Sequence, residues 1–374
     1  MNSEKLYNSK MTEQEAMSRA IELAMKGSGF VSPNPRVGAV ILKNDKIISE
    51  GWHKKFGGHH AEVEAVRNAK DVDLNDATMV VNLEPCSHTG KTPPCVDLII
   101  EKKFKKVVIG MKDPNPLVKG KGINKLRKAG IEVVSGVLEE EAKWINRFFT
   151  KHITSGLPYV VLKTAQSLDG KIATHTGESQ WITCKESRKF THKLRAELDA
   201  VLVGRKTVEA DNPQLNVREV KGRNPIKVIL DTYLSLPASM TIFQSVKEAK
   251  TIVCCSDKAA NSQKAKILKN AGIILISVDI DNQNRIDLRD CLKKLSVQYQ
   301  IASVLVEGGA EIHSSFIKHN LADEIHFFIA PKIIGKGIGS FDDILIKKLN
   351  DAREFEVKEI SKSGVDVHLV AISK

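Results

Sequence analysis

The 374-residue chain is short of several things that would settle its class at once. It has six cysteines, Cys86, Cys95, Cys184, Cys254, Cys255 and Cys291. So few in so long a chain make no disulfide scaffold, and they read as reduced thiols, with metal binding open to some. No apolar run is long enough to span a bilayer, which excludes a transmembrane helix. The opening stretch, MNSEKLYNSKMTEQEA, has no apolar segment followed by a cleavage site. A secretory signal is therefore not expected, and cytoplasm is the expected compartment. No short-period repeat and no low-complexity tract is present. No Gly-x-Gly-x-x-Gly follows a strand pattern, which removes the usual Rossmann cofactor fingerprint.

What is present is ordinary in bulk. Hydrophobic residues make up 42% and charged residues 27%, as in a globular protein. The length favours two domains over one. The net charge of +12 suits polyanions or phosphorylated small molecules. The lysines are spread along the chain, and the densest patch, EKKFKK at 101–106, reads as a solvated helix end. Nucleic acid is therefore not expected as a partner.

Strand-like and helix-like segments alternate, which argues for α/β architecture. Thr12 and Glu15 form a capping box ahead of AMSRAIELA. VGAVILK and KIISEGWH read as strands joined by the turn NDK, and AEVEAVRNA as the helix that follows. ATMVVNL, KKVVIGM and IEVVSGV are further strands, with helices at CVDLIIEKKF and GINKLRKAG. EEEAKWINRFFTKHITSG reads as a terminal helix of this first unit, punctuated by Gly156 and Pro158. A second alternating series starts at LPYVVLKTAQSLDGKIA and continues through DAVLVGRKTV, IKVILDT, TIVCCS, SVLVEGGAEIHSSFIKH and EIHFFIAPKII. The expected domains are 1–150 and 151–374.

The chemistry concentrates in two stretches of the first unit. HHAEVEA, residues 59–65, places Glu62 two positions beyond His60 at the start of a helix pattern. EPCSHTGKTPPC, residues 84–95, supplies Cys86 and Cys95, each after a proline and each leading toward a helix-like run. Helix starts favour thiolates. One imidazole and two thiolates bind Zn²⁺ well and leave a fourth position for water, which the ion makes acidic. Glu62 is then a proton carrier beside that water and not a ligand. The order matches the zinc deaminase signature, His-x-Glu followed by Pro-Cys-x-x-Cys. It departs from it in one respect: eight residues separate the cysteines. Two other readings stay open. Cys86 and Cys95 could be core thiols, or His88 could complete a four-ligand structural zinc site.

SPNPRVGAVI, GWHKKFGGHHAEVEA, LEPCSHTGKTPPC and MKDPNP together resemble the deaminase domain of the bifunctional riboflavin-biosynthesis deaminase–reductase family. The inter-cysteine loop belongs to that family. The resemblance covers the whole chain, because KTAQSLDGKIA, GESQWIT and VGRKTVEADNPQLNVR resemble the family's reductase domain. It implies a cytidine-deaminase-like three-layer α/β/α domain followed by a dihydrofolate-reductase-like α/β domain. It implies zinc on His60, Cys86 and Cys95, and Glu62 as proton shuttle. Asn34, His53, Lys91, Thr92, Asp113 and Asn115 would line the pyrimidine and phosphate pocket. In the second domain, Lys163, Ser179, Arg195, Leu215, Arg218 and Glu307 would hold the substrate. Ala165, Trp181, Thr207, Asp211, Gly309, Ala310, Glu311, Ile312, His313, Ser314 and Ser315 would hold NADPH. A homo-oligomer, dimer or tetramer, is also implied.

The residues lend these assignments uneven support. Arg195 and Arg218 are sensible phosphate forks. Gly308 and Gly309, between a buried strand and a helix, let backbone amides approach a phosphate. Asn34 between prolines and DPNP at 113–116 are equally ordinary turn chemistry. Trp181 could be a core aromatic and Arg195 a solvated helix residue. The competing function is a transfer-RNA-type zinc deaminase with an unrelated C-terminal domain.

Overall fold

The computed structural model describes residues 10–88, 93–116, 118–341 and 344–374. Lys91 and Thr92, expected at the phosphate pocket, lie outside these residues. The chain divides into two compact units, 1–156 and 157–374.

The first unit is built on a five-stranded sheet ordered β2-β1-β3-β4-β5. The strands are β1 (Gly38–Lys43), β2 (Lys46–Trp52), β3 (Thr78–Leu83), β4 (Lys106–Met111) and β5 (Glu132–Ser135). The hairpin β1–β2 is antiparallel, whereas β3, β4 and β5 run parallel. Side chains alternate between two buried faces. Ala39, Ile41, Met79, Val81, Val107 and Ile109 pack under the helices Ala61–Asn68, Cys95–Glu101 and Lys121–Lys128. Val40, Leu42, Val80 and Val108 pack under the helix Glu13–Met25. Burial on both faces is why these strands read as near-continuous apolar runs. The expected capping box is formed: Glu15 N donates to Thr12 Oγ1, and Thr12 N to the Glu15 carboxylate.

One expectation is corrected here. The single terminal helix is two helices, Glu139–Ile145 and Arg147–Ser155, broken at Asn146. The Asn146 side chain is buried and grips the backbone of Arg36, accepting from its N–H at 2.8 Å and donating to its carbonyl at 3.1 Å. Asn82 donates to the same carbonyl at 2.9 Å. Together they fasten the Ser32–Arg36 loop to the sheet.

The second unit has a nine-stranded sheet ordered β11-β10-β9-β8-β12-β6-β13-β16-β15 and a two-stranded ribbon β14-β7. In chain order the strands are β6 (Tyr159–Ser167), β7 (Lys171–Thr174), β8 (Ala200–Gly204), β9 (Ile226–Leu230), β10 (Thr251–Cys255) and β11 (Ile274–Ser277). Then follow β12 (Ser303–Val306), β13 (Glu324–Ala330), β14 (Gly337–Gly339), β15 (Phe355–Ser363) and β16 (Asp366–Ser373). The sheet is parallel from β11 to β13, and β16 and β15 close it as an antiparallel hairpin. Val160, Leu202, Val228 and Val304 share one core with Leu292, Leu295 and Phe316 from two covering helices. β12 enters between β6 and β8, so the strand order reverses there. Crevices at such switch points, beyond the carboxyl ends of the strands, are where open α/β sheets bind ligands.

Candidate active site

In the first unit the helix Ala61–Asn68 lies very close to β2. A side chain on Gly51 would meet the backbone of Ala65 at 2.3 Å and of Ala61 at 2.5 Å, so only glycine permits this approach. His60 is the N-cap of that helix, and Glu62 stands in its first turn. Pro94 caps the helix that begins at Cys95. Cys86, expected at a helix start, lies instead in irregular chain after β3. Its sulfur is served from across the site, by the Cys95 backbone N–H at 3.3 Å.

The candidate ligand atoms of His60, Cys86 and Cys95 all lie within 4.8 Å of one another. His60 Nδ1 is 3.2 Å from Cys95 Sγ and 3.6 Å from Cys86 Sγ. One nitrogen and two sulfurs at this separation fit a tetrahedral Zn²⁺ with one position left over. Among the described residues no fourth His, Cys, Asp or Glu joins the group. His88 is exposed and stands outside it, which disfavours the four-ligand structural reading.

The electrostatics of the ligands are divided. The Cys95 thiol, and next the His60 imidazole, donate toward Cys86 and lower its thiol to about 4. Cys95 is pushed the other way, first by that same sharing of one proton and then by burial. Metal-free protein near neutral pH is therefore expected to be alkylated by iodoacetamide at Cys86 well before Cys95, with Zn²⁺ blocking the reaction. Equal labelling of the two thiols, read by peptide mass, would contradict this asymmetry. Glu62 is buried at 3% exposure, and burial pushes its carboxyl up against the opposing pull of His60.

Other expected residues gather here. The His53 ring stands edge-on to the His60 ring at 5.9 Å. His53 Nδ1 meets the His59 carbonyl at 2.8 Å, which leaves Nε2 to accept from Asn34 Nδ2 at 3.2 Å. Burial lowers the His53 pKa, which favours the neutral ring that this role needs. Asp113 is buried just past the end of β4, and Asn115 N donates to it at 2.8 Å. Burial raises the Asp113 carboxyl, and the charges of Glu84 and Cys86 raise it further.

The second unit holds a cleft of about 1680 Å³ at the switch point. Lys163, Ser179, Arg195, Leu215, Arg218 and Glu307 all line it. So do Ala165, Trp181, Thr207, Asp211, Gly309, Ala310, Glu311, Ile312, His313 and Ser315. Ser314 does not: it is fully buried. Arg195 and Glu307 form a partly buried, two-pronged pair at 2.6 and 2.8 Å. Burial acts to raise the Glu307 carboxyl, and the Arg195 guanidinium overrides it and holds the group below its usual range. Lys163 is lowered by burial, partly countered by Glu307. Trp181 is exposed at the rim with the Arg188 guanidinium 4.6 Å over its ring, so it is not a core aromatic. Sequence reasoning missed His192, a buried cleft residue whose Nδ1 accepts from Arg218 N at 3.4 Å. Nothing in its local sequence marks it.

Residues 158–369 match the RibD C-terminal domain, and residues 10–111 match the cytidine and deoxycytidylate deaminase zinc-binding region. The riboflavin biosynthesis protein RibD of Actinobacillus pleuropneumoniae is 44% identical over 96% of this chain and 95% of its own. The chain belongs to the RibD family. The RibD of Aquifex aeolicus is also 44% identical, over 95% of this chain and 97% of its own. A Thermotoga maritima crystal structure described as a diaminohydroxyphosphoribosylaminopyrimidine deaminase/5-amino-6-(5-phosphoribosylamino)uracil reductase superposes with a TM-score of 0.86. It is 43% identical and covers 97% of this chain and 99% of its own. The RibD of Acinetobacter baumannii superposes at 0.87 with 38% identity, over 97% of this chain and 99% of its own. Family membership across both units removes the reading of a nucleic-acid deaminase with an unrelated C-terminal domain.

Proposed function

We propose that this chain catalyses two steps of riboflavin biosynthesis. The first unit replaces the amino group at ring position two of 2,5-diamino-6-(5-phosphoribosylamino)pyrimidin-4-one by oxygen, consuming water and releasing ammonia. The second reduces the ribosyl group of the product to a ribityl chain. The observation that carries the reading is the buried Glu62 beside the His60, Cys86 and Cys95 donor set.

His60, Cys86 and Cys95 would hold Zn²⁺, which when bound supplies the Lewis acidity that makes water a nucleophile near neutral pH. Glu62 takes the proton of the attacking water and returns it to the leaving amine, which cannot depart as an amide anion. Its buried, raised carboxyl suits both halves of that transfer. Asn34 and His53 present polar edges to the pyrimidine, and Asp113 and Asn115 close the pocket from the β4 loop, with Lys91 and Thr92 assigned to the phosphate.

The second cleft exceeds the roughly 300–1,000 Å³ of a site for one ligand, so it has room for a dinucleotide and a substrate together. NADPH, when bound, would supply the hydride that reduces the anomeric carbon of the opened, imine-like sugar. Lys163, Ser179, Arg195, Leu215, Arg218 and Glu307 orient that sugar and its phosphate. Trp181, Thr207, Asp211 and residues 309–315, at the start of a helix, would seat the cofactor, together with Ala165; for the buried Ser314 this leaves only its backbone. Lys206 and Arg285, 2.7 and 3.9 Å from Glu311 at the mouth of the helix Ala310–Lys318, suit the extra phosphate of NADPH.

An assay supplying the diaminopyrimidine phosphate with and without NADPH, following ammonia and cofactor oxidation separately, tests both steps. Ammonia is expected without NADPH, and oxidation only with substrate present. Ammonia from RNA and none from the nucleotide would sink the reading. A homo-oligomer in the cytoplasm completes it. Val357, Ile360 and Val367 on the edge hairpin β15–β16 are exposed, as a face between copies would be in isolation. Light scattering that reads a monomer at working concentration would contradict this part. No helix among the described residues is long and apolar enough to cross a membrane.

A further inference from the structure

Glu84 is buried at 3% exposure, two residues before the Cys86 ligand, and nothing in the deamination step uses it. Four backbone amides converge on its carboxylate. Oε1 accepts from Gly122 N at 2.9 Å and Ile123 N at 3.2 Å. Oε2 accepts from Gly120 N at 3.0 Å and Asp113 N at 3.2 Å. Gly120, Gly122 and Ile123 form the mouth of the helix Lys121–Lys128, whose unpaired amides and dipole favour an anion. The chain also touches directly: a side chain on Gly122 would meet the Pro85 carbonyl oxygen at 2.3 Å. Glu84 N in turn donates to the Met111 carbonyl at 2.9 Å, so the residue is fixed at both ends.

We propose that Glu84 is a positioning residue of the deaminase site, its carboxylate clamping the Cys86 ligand loop, the Asp113 loop and the mouth of the helix Lys121–Lys128 to one another. The clamp sets where Cys86 stands relative to Asp113, and so where the ligand set stands relative to the pyrimidine pocket. This rests on the deaminase reading for its kinetic consequence, but not for its structural one.

Glu84→Gln is the sharp test, because the shape is kept and the pairing is not. An amide has one acceptor oxygen, so it can keep either the Gly122–Ile123 pair or the Gly120–Asp113 pair. Its NH₂ group then faces two N–H donors. In the 374-residue protein loaded with Co²⁺, the expected result is a changed thiolate charge-transfer spectrum. Metal affinity is expected to fall by about 10–100-fold, as outer-sphere substitutions typically cause, so that a chelator strips the ion faster. Deaminase kcat/KM is expected to fall by a similar factor, while reduction in the same preparation stays unchanged. Hydrogen exchange is expected to quicken at Asp113, Gly120, Gly122 and Ile123 and to hold along β3 and β4. Two outcomes overturn the proposal. One is metal retention and exchange within twofold of the parent chain. The other is protection lost across the whole sheet, which would make Glu84 a general stabiliser. Failure of the parent chain to release ammonia would count against the deaminase reading alone, since the metal and exchange measurements still decide the clamp.

Discussion

Glu62→Gln is expected to keep its metal ion and to lose deamination by about 10²–10⁴-fold, the usual yield of a positioned general acid–base. The argument begins with position. His60 caps the helix and turns its ring toward Cys86 and Cys95, whereas Glu62 sits in the first turn and is not one of the three mutually close donors. Removing its charge leaves one imidazole and two sulfurs, which is a sufficient Zn²⁺ set. What goes is the group that accepts the water proton and hands it to the departing nitrogen. The amide is nearly isosteric, so the fold has little reason to respond. Metal content by atomic emission, ammonia release and NADPH oxidation should be read on one preparation. Loss of the metal along with the activity would move Glu62 into the ligand set. Retained ammonia release within a few fold would remove it from the reaction.

Much of this site was legible because its chemistry is carried by residue type at fixed spacing. His-x-Glu and two prolyl cysteines announce themselves in one dimension. The strands of the first unit were legible for a different reason: Val80 and Val81, or Val107 and Val108, face opposite buried layers, so polarity has nowhere to alternate. What stayed hidden depends on distance through space. Glu84 looks like any acidic residue before a proline until four amides are seen around it. Asn146 sits inside a run that reads as one continuous helix, and its hold on Arg36 is visible only in space. Strand β15 was overlooked because FEVKEISKS is an exposed edge strand, where the apolar alternation that marks a strand is weak, and its inner partner β16 was overlooked with it. The thiolate at Cys86 was expected for the right reason at the wrong place: the helix mouth that serves it belongs to Cys95.

Lys163→Ala is expected to cut reduction by about 10²-fold, in the range seen when one positioned polar group is removed from a reacting centre, while ammonia release stays within twofold. Lys163 is chosen over its neighbours on energetic grounds. Arg195 and Glu307 are a largely enclosed, two-pronged pair, each side chain 11% exposed. Truncating either one leaves the other charged and unpaired at a cost of about 3–5 kcal/mol, which would confuse stability with catalysis. Lys163 adds a positive charge within electrostatic reach of Glu307 without sharing that pair. Its removal leaves the Arg195–Glu307 bond in place. The pH dependence supplies a second reading. Burial lowers the Lys163 ammonium below the usual lysine range, so the charge is present at low pH and is lost as pH rises through the lowered value. If that charge orients the sugar, reduction by the parent chain falls on the alkaline side earlier than an ordinary lysine would dictate. The residual activity of Lys163→Ala should lack that limb, and deamination should show it in neither protein. The two units have separate sheets and separate cores. Equal loss of ammonia release and NADPH oxidation in folded Lys163→Ala protein would therefore show that the two chemistries are not divided between them.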